Sequence, residues 1–190
     1  MHLNTGETIW GLTVAFALYA GWLDNATRRI PNWLTVPGVL GGILVHSIAD
    51  GWHGFLVSIE GAGLGLAILL PLVVLRALGA GDWKLMGAIG AMVGPEMLLA
   101  VLFASALVAG VMAVVLMIRE RRVKATLHNI AILLSGFFTF GLRPNPEVSL
   151  DSPSALKLPF GVAAAIGTLL CFIATRWQVR SPCIKWQKSP

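Results

Sequence analysis

The sequence predicts an all-α, polytopic membrane helix bundle with about six transmembrane helices, with seven short spans as the alternative. Three observations carry this. Of the 190 residues, 56% are hydrophobic and only 12% charged. The apolar residues fall in long runs, and the basic residues gather in short clusters between those runs. Such a chain has too little polar surface to cover a water-soluble core, so the bilayer is its natural solvent. A net charge of +5 by itself would suit a phosphate-backbone partner. Clusters confined between apolar runs are instead what cytoplasmic loops carry, so the expected partners are membrane lipids and not nucleic acid.

The elements follow in order. Residues 9–23 are nearly all apolar and form the first span, with no Lys or Arg before them and no cleavage signal, so the run reads as permanent. His2, Asn4 and Glu7 leave that edge almost without positive charge, which favours an outer start. The polar stretch DNATRRIPN, residues 24–32, is an inner loop. Residues 33–49 form a second span whose Gly41 and Gly42 suit close helix packing. DGWHG, residues 50–54, is a turn on the outer side, and residues 55–78 return the chain to the side of Arg28 and Arg29. Residues 85–94 are too short to cross alone at about 1.5 Å per residue; they either continue through Pro95 as a broken pair or turn tightly near the far interface. Residues 97–118 span and end at RERRVK, residues 119–124, an inner marker. Residues 126–140 are apolar but short, residues 158–175 form the last span, and a basic tail follows from Arg176. Charge favours an inner tail, which would require residues 126–140 to cross; six spans with an interfacial segment and seven short spans both remain. Without repeats or linkers, residues 1–190 read as one integral-membrane domain.

This topology sets Asp24 just beyond the first span and Asp82 just before residues 85–94, at the same inner interface although 58 residues apart. Two close carboxyls resist double ionisation, so they can share a proton and poise one acid against one base. Such a pair can activate water while protonating a peptide carbonyl or a leaving amine. Neighbouring residues have physical reasons to help. Gly79 and Gly81 let the backbone turn closely around Ala80. Asp82 at a helix start is expected to have its charged form steadied by free N–H groups. Lys84 can meet a carboxylate or a headgroup, Pro31 restrains the end of its loop, and Arg28 and Arg29 can face phosphates or an acidic substrate residue.

Plainer readings stand beside these. A lone interfacial Asp is commonly a cap. Glu60 can snorkel to the outer side. His46 and His53 cluster at the opposite face with only Asp50 nearby, and His128 suits an interface, so no metal site is expected. Trp10, Trp22, Trp33, Trp52 and Trp83 sit near span ends as an aromatic belt does. Cys171 in an apolar run and Cys183 in the tail form no CxxC pair and read as a packed and a surface thiol.

DNATRRIPN, with Asp followed by Pro-Asn near its end, and GAGDWKL, residues 79–85, with its GxGD element and a following Lys, together resemble the type IV prepilin peptidase family of membrane aspartic proteases. KLPFGVAAAIG, residues 157–167, is similar to that family's late Pro-Tyr/Phe-Gly region. The resemblance implies that Asp24 and Asp82 are the catalytic pair, with Arg28, Arg29, Pro31, Asn32, Gly79, Gly81 and Lys84 supporting the motifs. It implies no metal or organic cofactor. The first motif begins at residue 24 and the paired cysteines of bifunctional members are absent, so peptidase activity without an N-terminal methyltransferase module is expected. The compact form resembles the CpaA/TadV-like branch associated with Flp-type tight-adherence pili. The implied substrate is a prepilin or pseudopilin whose short basic leader is cut at the cytoplasmic face of the bacterial inner membrane, with pilus-assembly proteins as further partners. Two other classes compete: a noncatalytic pilus-assembly scaffold, and a transporter using Asp24, Glu60 or Asp82. A transporter should distribute polar residues along a continuous path, whereas the two best acids here share one side.

Overall fold

The computed structural model describes residues 5–119 and 159–180, and these are helical with short connections. Helix α1 runs Thr5–Thr27, α2 Asn32–Val74, α3 Ala80–Arg119 and α4 Phe160–Arg180. Straight helices of 43 and 40 residues would extend about 60 Å, roughly twice the thickness of a bilayer's hydrocarbon. Both fold instead. In α2 the ladder breaks at Asp50 and Gly51, where Gly51 takes φ 59°. In α3 it breaks at Gly94 with φ 79°, a conformation that glycine enters without a Cβ penalty, and Pro95 restarts the helix with its preset φ. Each long helix is therefore a hairpin of two arms: 32–49 and 52–74 in α2, 80–93 and 95–119 in α3.

The short arm 80–93 is the axis of the bundle. Every residue from Leu85 through Ala91 is buried. The first arm of α2 runs parallel to it, Gly38 lying against Ala88 and Gly42 against Ala91. The second arm runs antiparallel, with Gly65 against Met86 and Gly61 against Gly90. At this last crossing backbone meets backbone: a Cβ on either glycine would strike the other's carbonyl oxygen, the small-residue contact on which helices rely in lipid. Helix α4 lies antiparallel to α1, from Gly161 beside Asp24 to Arg176, which pairs with Glu7 at 3.4 Å.

An arm ending at Gly94 leaves its last carbonyls without intrahelical donors, and in apolar surroundings such groups need partners. Both arms of α2 supply them. Ser58 Oγ donates to the Ala91 carbonyl at 2.7 Å, and His46 Nε2 bonds the Met92 carbonyl at 2.8 Å. Large apolar side chains cover the outside of the bundle: Leu40, Ile48, Phe103 and Val111 are each more than 60% exposed. That inversion of a water-soluble protein marks a membrane protein. Asn32–Val74, Ala80–Arg119 and Phe160–Trp177 are long and apolar enough to cross a membrane, which makes three candidate spanning helices among the described residues, two of them folded.

Some expectations hold against this architecture and others change. Residues 85–94 do not cross alone but turn back at Gly94, within the arrangements expected for them, and α1 packs chiefly on α4. Trp83 is not a belt residue: its Nε1 donates to the Leu66 carbonyl at 2.7 Å, inside the bundle. Trp22, Trp33 and Trp52 are exposed as a belt requires. Helix α4 ends beside the start of α1, at the end of the bundle opposite Asp24. Residues 126–140 lie outside the described residues.

Candidate active site

The site gathers where α1 ends, α2 and α3 begin, and α4 starts. Asp24 sits near the end of α1, after the apolar run 9–23, and Asp82 sits in the first turn of α3, ahead of the run that begins at Leu85. Both acids therefore lie at the boundary of the spanning segments. The chain leaves α1 through Arg28, at φ 51°, and Thr27 Oγ1 lies 2.9 Å from both the Leu23 and Arg29 carbonyls. Pro31, at φ −76° and ψ 150°, occupies the cap position of α2, and its carbonyl accepts from the Leu34 N–H at 3.1 Å.

Two contacts hold the motifs together across the sequence. Lys84 Nζ donates to Asn32 Oδ1 at 2.9 Å. Gly81 packs against Ile30, where a Cβ would come within 3.2 Å of the isoleucine Cβ. Gly79 lies beside the acid it precedes, a Cβ there standing 3.0 Å from Asp82 Oδ2, and its carbonyl accepts from the Trp83 N–H at 3.2 Å. Thus Asp24, Arg28, Pro31, Asn32, Gly79, Gly81, Asp82 and Lys84 converge on one end of the bundle. Arg29 has an exposed side chain, and its main-chain carbonyl accepts from Thr27 Oγ1. Glu60 is exposed on the return arm of α2, away from this end, and His46 serves the far end of the central arm.

The acids differ in surroundings. Asp24 is 6% exposed, and its Oδ2 accepts the Gly161 N–H at 2.8 Å. Burial raises its carboxyl above the ordinary value, opposed by the Gly161 bond and by the Arg28 charge. Asp82 keeps a water-facing edge, yet protein surrounds it to depth. Burial first and the Asp24 charge second push it from 3.8 up to about 7. Desolvation and a like charge thus act together to favour the protonated form of Asp82. The coupling also shows that the two carboxyls stand within electrostatic reach. Sequence reasoning missed Gly161 as a site residue. The signal was a glycine directly after Pro159-Phe160 at the head of an apolar run, but its partner lies 137 residues away.

Fold and site define a membrane protein of helical hairpins with a coupled carboxyl pair at one end, an arrangement suited to moving protons at a substrate bond. Residues 11–114, more than half of the chain, match the model of the type IV leader peptidase family, and the chain belongs to that family. The protein is thus a peptidase of the prepilin leader kind, with prepilins as substrates. The match includes both acids and stops short of α4. Nothing among curated proteins or solved structures matches the chain.

Proposed function

We propose that this chain is an aspartic endopeptidase of the bacterial inner membrane that removes the short basic leader of Flp-type or type IV-like prepilins at the cytoplasmic face, with Asp24 and Asp82 activating water. The supporting observation is the coupled pair itself: a buried Asp24 and an Asp82 pushed up to about 7, partly by the Asp24 charge. A group poised near neutral pH is suited to proton transfer. In the GxGD turn Gly79 keeps the space beside the Asp82 carboxyl free of a Cβ, which suits the approach of an extended substrate segment, while Gly81 lets the turn pack against Ile30. Basic residues at this end, Arg28, Arg29 and Lys84, accord with a cytoplasmic side, and the polytopic count of about six crossings belongs to the same reading. The whole of residues 1–190 acts in it as a single peptidase domain.

The reaction needs an extended scissile segment, because an intact substrate helix hides its peptide bonds. One carboxylate takes a proton from water as the water oxygen bonds to the carbonyl carbon. The protonated partner gives its proton to the carbonyl oxygen. When the C–N bond breaks, the amine takes the first proton, and a diol O–H returns the second. Purified Asp24→Asn and Asp82→Asn variants should insert normally and fail to cleave a Flp-like precursor that the wild type cleaves, with a type IVa precursor run beside it. Near-normal cleavage by both variants would reject the pair. Release of a leader from the Flp-like precursor alone would support the compact-branch assignment.

A further inference from the structure

We infer that the amino end of α4, through the main-chain N–H of Gly161, fixes Asp24 as the standing carboxylate of the pair and gives it the base role, leaving Asp82 to carry the proton. The inference rests on the peptidase reading above and adds to it a positioning residue outside the segment that the family model matches.

The argument starts from the unsatisfied donors of a helix start. The first N–H groups of α4 have no acceptor within the helix. That of Gly161 is directed at Asp24 Oδ2, at 2.8 Å in a buried setting, which is the length of a charge-assisted bond. The positive end of the helix dipole adds to it, because α4 begins at Phe160 and Asp24 lies before its first turn. Only glycine leaves space for this approach: a Cβ at position 161 would stand 2.8 Å from Asp24 Cβ and 2.9 Å from Oδ2. No such donor reaches the Asp82 carboxyl among the described residues.

Burial raises the Asp24 carboxyl, and the Gly161 N–H and the charge of Arg28, from the chain after α1, oppose that rise. Asp82, from α3, lacks such a donor among the described residues and is raised to about 7 by burial and by the Asp24 charge, so of the two it is the one that holds the proton. The described start of α4, Pro159 to Val162, brings no titratable side chain, and Asn32 at the head of α2 is neutral. In the resting enzyme Asp24 is therefore the anion and Asp82 the acid. Water gives its proton to Asp24, Asp82 protonates the carbonyl oxygen, and both return to their starting states after the C–N bond breaks.

The test is Gly161→Ala in the full chain, with the same Flp-like precursor as substrate and Gly110→Ala, whose Cβ meets nothing within 4 Å, as control. Displacing the Asp24 carboxyl from its donor should lower kcat tenfold or more with KM nearly unchanged. It should also move the acidic limb of the kcat/KM profile upward by roughly one pH unit. Rescue of the limb is not expected from the control, which should match the wild type. A second measurement needs no functional variant: in glycine-labelled wild type, the Gly161 amide resonance should titrate with the same midpoint as the acidic limb. An unchanged limb in Gly161→Ala, or an amide that does not titrate there, would overturn the positioning role. If Asp24→Asn and Asp82→Asn remain inactive in that case, the peptidase reading survives alone; if they cleave, that reading fails first.

Discussion

Replacing Asp82 with Asn should remove a pH dependence of stability that the wild type carries. In the folded protein Asp82 rises from 3.8 to about 7, so across that interval the native state keeps a proton that the unfolded chain has released. The associated stability is complete below the unfolded value and is lost as pH climbs through the folded one, because the unfolded state binds fewer protons there. A rise from 3.8 to about 7 is about three units, and ~1.36 kcal/mol for each sets a ceiling of ~4 kcal/mol. Partial exposure of the side chain reduces this to about 2 kcal/mol. Asp24 is shifted in the same direction, so the variant should retain a shallower slope. Thermal unfolding in mild detergent, followed by circular dichroism at stepped pH, reads the effect directly. The wild type should lose stability between about pH 4 and pH 7, and Asp82→Asn should be the more stable of the two above that window. Wild-type stability that is level or rising across the interval would refute the reasoning.

Other perturbations test the frame that carries the acids. Gly61→Ala drives a Cβ into the Gly90 carbonyl and should destabilise by about 1–3 kcal/mol, whereas Gly63→Ala, which meets nothing within 4 Å, should change stability by less than ~0.5 kcal/mol; denaturant titration separates them. Ser58→Ala and His46→Leu each strand a carbonyl at the end of the central arm, and each should lower stability by roughly 1–3 kcal/mol, with faster amide exchange at residues 91–94 as the local readout.

Much of this was legible in the chain because its informative signals are local. Asp50-Gly51 and Gly94-Pro95 announce chain reversals by residue type, and the two acidic motifs declare their positions by their distance from apolar runs. What escaped depends on which helix lies beside which. Trp83 near a helix start looks like any interfacial tryptophan until Leu66 is found to accept its N–H. His46 looks like an outer-face residue until the arm it caps is in place. Gly161 has no sequence-local reason to touch Asp24; that contact exists because α4 returns antiparallel along α1. The desolvation of Asp82 is of the same kind, because it is set by all the segments that surround the carboxyl and not by its own.

The central arm is pinned at both extremities, by the indole of Trp83 on Leu66 and by Ser58 and His46 on Ala91 and Met92. Its residue count is thereby locked. One residue inserted between these anchors would swing whatever lies on one side by about 100° and slide it by ~1.5 Å relative to the other, so either Asp82 turns from its partner or the far anchors let go. Changes in length belong to the connections between helices, and this segment works as a ruler whose far end sets where the acid stands.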